Sequence, residues 1–171
     1  TSSTVGSVSG TSGDLTSTLG NSGAATASLT VTAATVPAFS QAFQPAQIVQ
    51  GAPSDLVFTI DNSGNSIPVG SLGFTATLPA NLVVAGGSGF ASAMTASNSC
   101  GGTVSATPGG NSISFSGGTV SASSTCAVSV PVTSTTVGTA GTVSATLSTA
   151  LGSATLPAPS TPLVVIVNPD G

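Results

Sequence analysis

Apolar and polar side chains alternate strictly along two stretches near the middle of the chain. "SDLVFTID" (54–61) places Leu56, Phe58 and Ile60 on one face, and "SLGFTATL" (71–78) does the same with Leu72, Phe74 and Ala76 before Pro79 stops the run. A period of two is the mark of a strand with one face buried. Shorter runs follow at "LVVAG" (82–86), "GTVSA" (102–106), "SISFS" (112–116), "TCAVSVPV" (125–132), "GTVSATLS" (141–148) and "TPLVVIV" (161–167). "TPGGN" and other Gly clusters separate them, and no window carries a persuasive helical period. Several short strands with Gly and Pro turns predict an all-β fold, an antiparallel sandwich.

One more strand lies outside that series. "ATASLTVTAAT" (25–35) sets Ala27, Leu29, Val31 and Ala33 on one face and Ser28, Thr30 and Thr32 on the other, within a stretch otherwise rich in Gly, Ser and Thr. A lone strand is unstable because its backbone and its apolar face both need a partner. An internal repeat explains its position. "LTSTLG" (15–20) matches "LSTALG" (147–152) in residue type at each position, and Val-Gly starts precede both, in "TVGSVSG" (4–10) and "TVGTAGTVSA" (136–145). A final strand follows each, "ASLTV" (27–31) and "TPLVVIV" (161–167), and breaks follow at Val36-Pro37 and Asn168-Pro169. Residues 1–37 therefore read as an extension carrying the last two strands of a module, 38–167 as one whole sandwich, and 168–171 as a tail. A repeat unit buries its face on its own sheet or on a neighbour, so the hairpin is expected to find its host outside its own unit.

Composition removes most functional classes. Among 171 residues there is no Lys, Arg, His, Glu, Trp or Tyr, and the only charges are Asp14, Asp55, Asp61 and Asp170. General acid–base work needs a group titrating near neutral pH, and a nucleophilic serine needs a base beside it, so no enzyme is expected. Binding to phosphate backbones rests on Lys and Arg, which excludes nucleic acid and, on the same ground, anionic membrane surfaces. "PLVVIV" (162–167), the longest apolar run, is far too short to span a bilayer. The chain shows no initiating Met, basic n-region or signal-peptide core, as expected of a secreted chain whose signal peptide has been removed. The near absence of charge also favours packing against copies of itself, since soluble monomers usually keep many surface charges.

Cys100 and Cys126 are the only cysteines. One pair in a strand-and-turn sequence without His reads as a single disulfide, in preference to two buried thiols or a metal site. It would contribute about 3 kcal/mol by closing its loop and implies an oxidising compartment: the periplasm, the cell surface or outside the cell.

Phe39, Phe43 and Pro45 at the start of the sandwich, the strand end Leu78-Pro79, and "SCGG" followed by "TCAVSV" form a recognisable set. In these features 38–167 resembles a conserved tandem-repeat family of bacterial secreted and surface proteins, an Ig-like domain of unknown function found in long arrays. The resemblance implies an Ig-like sandwich, a Cys100–Cys126 disulfide and an extracellular location, and it transfers no catalytic residue.

Other candidates favour plainer readings. "DNSGN" (61–65) spaces oxygen ligands like a calcium loop, but Asp61 is its single carboxylate, and calcium loops bring several; a turn is preferred, and no metal or cofactor is expected. The row Thr26, Ser28, Thr30, Thr32 could suggest an ice-binding array, yet it is also what a solvated strand face shows. A sugar site lacks the Trp or Tyr platform. No Asn-x-Ser/Thr sequon is present, and the absence of Lys excludes a Lys–Asn isopeptide. Two functions remain. In the preferred one the chain is a structural subunit of an extracellular filament, pilus or sheath, with Ala27, Leu29, Val31 and Ala33 forming an inter-subunit strand added head to tail. In the other it is a repeat module, a stalk or adhesin spacer, whose partners are neighbouring repeats.

Overall fold

Each alternating run of the sequence is a strand in the computed structural model, which describes residues 4–86, 96–167 and 169. The chain divides into two units, Thr1–Ala34 and Thr35–Gly171. The division falls three residues before the expected boundary after Pro37, because Thr35 is held by the second unit through its backbone. Of the tail expected at 168–171, with Asp170, only Pro169 lies within the described residues.

The first unit is one long hairpin. Strand β1 (Gly6–Thr11) pairs antiparallel with β4 (Thr26–Val31), and the short strands β2 (Thr16–Ser17) and β3 (Gly20–Asn21) pair at its tip. The register is continuous from Gly6↔Val31 to Ser17↔Gly20, and the backbone bonds Ser12 N–H to Ala25 O and Ser22 N–H to Leu15 O keep it through the unpaired middle.

The second unit opens with β5 (Ala38–Gln44), β6 (Gln47–Val49), β7 (Pro53–Asp61), β8 (Val69–Thr77) and the short β9 (Val83–Val84). It continues with β10 (Ser97–Asn98), β11 (Thr103–Ala106), β12 (Ser112–Val120) and β13 (Thr125–Thr133). It closes with β14 (Gly138–Thr139), β15 (Ser144–Thr149), β16 (Gly152–Thr155) and β17 (Val164–Ile166). Among the described residues every regular element is a strand.

Two five-stranded sheets face each other. The first runs β10-β13-β7-β5 with β9 also on β13, and the second runs β11-β12-β8-β15-β16. A smaller sheet, β14-β17-β6, joins the last strand of the second unit to one near that unit's start, with β17 parallel to β6. Alternation explains the layers: Leu56, Phe58 and Ile60 of β7 point inward and are fully buried, as are Leu72 and Ala76 of β8. Four phenylalanines bind the sheets together. Phe74 of the second sheet lies 5.2 Å from Phe39 and 4.8 Å from Phe58 of the first, and 5.4 Å from Phe115 of its own. These tilted pairs add to the area they bury. The architecture is an Ig-like β-sandwich.

Candidate interaction surfaces

Cys100, just past β10, is bonded to Cys126 of β13, with Cα atoms 5.1 Å apart and both side chains buried. The bridge pins the edge strand β10 to the body of the first sheet, so the two cysteines are structural.

Of the four residues expected on an inter-subunit strand, Ala27, Leu29 and Val31 lie on β4, whereas Ala33 lies past its end. Pairing between β1 and β4 ends at Gly6↔Val31. Leu29 sits opposite Val8, and both are more than half exposed, at 55% and 53%; Leu15 nearer the tip is 73% exposed. Val8 and Leu29, with half-buried Val31 two residues further along β4, thus form an uncovered apolar stripe on one face of the first unit.

The repeat seen in the sequence is also one of geometry. In the first unit a two-residue turn, Thr18-Leu19, joins Ser17 to Gly20; in the second, Ala150-Leu151 joins Thr149 to Gly152. Ser17 Oγ accepts from Leu19 N–H at 3.2 Å and donates to Gly20 O at 3.2 Å. Thr149 Oγ1 accepts from Leu151 N–H at 3.0 Å and donates to Gly152 O at 2.9 Å. A hydroxyl two residues before the tip is a known turn stabiliser. Both closing glycines have positive φ, 127° and 132°, and so do the starting glycines, Gly6 at 138° and Gly138 at 121°. That conformation disfavours a side chain, which is why glycine stands at the same four places.

"DNSGN" folds as a turn whose oxygens are engaged. Asp61 accepts from the Ser63 hydroxyl and amide, which hold its carboxyl below the usual carboxylate range. Asn62 and Asn65 are buried. Asn62 Nδ2 donates to Ile67 O and Ser121 O, each at 2.9 Å, and Asn62 Oδ1 accepts from Asn65 Nδ2 at 2.6 Å. Asn65 then takes Thr35 in a two-point grip: its Oδ1 accepts from Thr35 N–H and its Nδ2 donates to Thr35 O, both at 2.8 Å. The loop that resembled a calcium site is the clamp fixing the start of the sandwich. Sequence reasoning missed Asn65 because an Asn in a Gly-containing turn is ordinary; only its distant partner marks it.

Gln41 was also missed. It interrupts the apolar face of β5 between Phe39 and Phe43, is buried, and donates to Val143 O at 3.3 Å and Pro157 O at 2.9 Å. Its Oε1 has no hydrogen-bond partner among the described residues. A polar residue in phase with two buried phenylalanines was the available signal.

The outer face of the second sheet is dominated by hydroxyls. Thr75, Thr77, Ser144, Thr146 and Thr155, with Ala145, line an open concavity of about 460 Å³. Asp55 and Asp61 both stand on β7, in the other sheet. Hydroxyls alone bring no titrating group or nucleophile activator to this surface.

A family model described as a domain of unknown function, DUF7933, matches residues 37–165. A search of curated proteins finds no match. Among solved structures, a cohesin module from a Clostridium perfringens ATCC13124 family 33 glycoside hydrolase is similar, with a TM-score of 0.50 and 12% identity over 78% of this chain and 99% of that one. A protein from Corynebacterium diphtheriae described as membrane anchored is similar with a TM-score of 0.51 and 10% identity, over 78% of this chain. This chain spans 36% of the length of that protein. At these identities the likeness is one of fold, the β-sandwich.

Proposed function

The chain belongs to the DUF7933 family of domains of unknown function, and from that premise we propose that it is a structural repeat module of an extracellular or cell-surface protein, serving as a stalk or spacer. The observation that carries this reading is a closed, disulfide-bonded sandwich preceded by a second strand unit that repeats its last hairpin. A disulfide suits an oxidising compartment, and the likeness to a protein described as membrane anchored accords with a surface location. The role is mechanical, not catalytic, since the chain brings no Lys, Arg, His or Glu to any surface.

A filament subunit is the second reading, favoured by the exposed stripe of Leu29 and Val8, which strand addition would cover. Electron microscopy of the chain concentrated at neutral pH separates the two. Dispersed particles support the repeat module. Ordered fibres that vanish with Leu29→Asp and Val31→Asp would overturn it in favour of the filament.

A further inference from the structure

We propose that residues 4–34 are the closing hairpin of a second module of the same family, and that the partner covering their apolar stripe is the body of that module, a set of strands equivalent to β5–β13. This deepens the repeat-module reading and rests on it.

The argument runs through the register. Counting back from the turn glycines, Gly6 and Gly138 lie at the same distance, fourteen residues before Gly20 and Gly152. Leu15 then corresponds to Leu147 and Val8 to Ala140. On the return leg Val31 faces Gly6 as Val165 faces Gly138, and Leu29 faces Val8 as Leu163 accepts from the Ala140 amide. The return leg of the second unit is two residues longer, and the pairing absorbs them. Every counterpart in the second unit is buried: Leu147 and Leu163 at 0%, Val165 at 1% and Ala140 at 7%. Outward positions agree as well, since Val5 and Val137 are both exposed. The stripe left open on the first hairpin is therefore the stripe that the second inserts into a core.

The second unit also shows what the host must offer. Its closing hairpin enters two sheets: β15 pairs with β8 in the second five-stranded sheet, and β17 runs parallel to β6 in the smaller one. Gln41 holds both legs, through Val143 O and Pro157 O. A host thus presents one strand like β8 to the Ser12–Ser17 leg, one like β6 to the Thr30–Thr32 leg, and a buried amide between them. A sheet edge alone offers only the first of these.

The test extends the whole chain at its N-terminus with a second copy of residues 35–135, joined to Thr4 as residue 135 joins Thr136. Hydrogen exchange is then followed at the Val8, Leu29 and Val31 amides. These should exchange at least a hundredfold more slowly in the extended chain than in the parent, and Leu29→Asp should abolish that protection while leaving 35–167 unchanged. Parent-like exchange in the extended chain would overturn the proposal, including when the added copy stays unfolded. A second chain, in which residues 136–167 are replaced by 4–34, carries the hairpin twice. The inserted copy should be protected and the N-terminal copy not; equal exchange of both copies, or loss of cooperative unfolding, would overturn the proposal. Loss of the hairpin's protection with dispersed particles in the microscope would sink this inference and leave the repeat-module reading intact.

Discussion

Removing the Asn65 side chain tests how the sandwich fixes its own beginning. Asn65→Ala deletes three hydrogen bonds: two to the backbone of Thr35 at 2.8 Å and one to Asn62 Oδ1 at 2.6 Å. Thr35 is exposed, so water can satisfy its amide and carbonyl, and those two bonds are worth only their net contribution, about 1 kcal/mol each. Asn62 is 1% exposed, and its Oδ1 would lose its partner in a dry site, at about 1 kcal/mol or somewhat more. Together the loss should be about 3 kcal/mol, which for a unit of this size lowers Tm by roughly 10 °C. With no Trp or Tyr in the chain, calorimetry or far-UV circular dichroism must follow the unfolding. Thr35 N–H should also exchange faster. Asn65→Asp sharpens the test, because it keeps the acceptor for Thr35 N–H but turns oxygens toward Thr35 O and Asn62 Oδ1. Burial among acceptors raises the folded pKa of such a carboxyl above its unfolded value of about 4. The penalty is then present at pH 7 and shrinks as pH falls through that raised value. A loss below about 0.5 kcal/mol for Asn65→Ala, with Thr35 exchange unchanged, would refute the clamp.

Three further outcomes follow from the same packing. Replacing both Cys100 and Cys126 with serine should lower the stability of the second unit by about 3 kcal/mol, read as the shift of the urea midpoint. Gly102→Ala should cost about 3 kcal/mol, because a Cβ there falls 2.3 Å from Ser116 O, a backbone atom, at φ 73°; a normal melting curve would contradict this. Asp61→Ala should destabilise at pH 7 and do so less as pH falls. The Ser63 bonds lower the folded pKa of Asp61, so its contribution is present above the unfolded value of about 4 and disappears as pH drops through the folded one. Paired urea titrations at pH 7 and below pH 3 check this.

Strands with clean alternation were legible in the sequence. The runs around Leu56, Leu72 and Val128 became β7, β8 and β13, because a period of two with one buried face leaves a single register free of exposed apolar rows. What the sequence hid depends on distant partners. Strand β6, only Gln47–Val49, is defined by parallel pairing with β17 more than a hundred residues away. The run at 112–116 continues to Val120 because register shifts around Gly118 carry β12 along β8. The clamp at Asn65 was invisible for the same reason, and the brace at Gln41 showed only as a polar residue in phase with Phe39 and Phe43: amides say nothing about their role until their partners are placed. The hairpin repeat was legible because its turn demands Gly at fixed places, which leaves a mark even where the apolar residues diverge.

Magnitudes decide where the N-terminal hairpin finds its cover under the proposal made above. Val8, Leu15 and Leu29 are each more than half exposed, and covering them with Val31 would contribute about 5 kcal/mol, roughly half of what full burial of four such side chains gives. A second copy of this chain is a poor donor of that cover. Its equivalent place is already filled by Leu147, Leu163 and Val165, each at most 1% exposed, so the newcomer must eject a hairpin that buries as much as it brings. The exchange also loses Val143, a buried position whose counterpart is Thr11. Association between separate chains costs at least about 4 kcal/mol in lost freedom, so the trans arrangement ends in deficit. A body continuous with the hairpin pays no such association cost and has no occupant to eject. The 171-residue chain should therefore stay monomeric as its concentration rises, and light scattering showing oligomers with β14–β17 unprotected from exchange would reverse the argument.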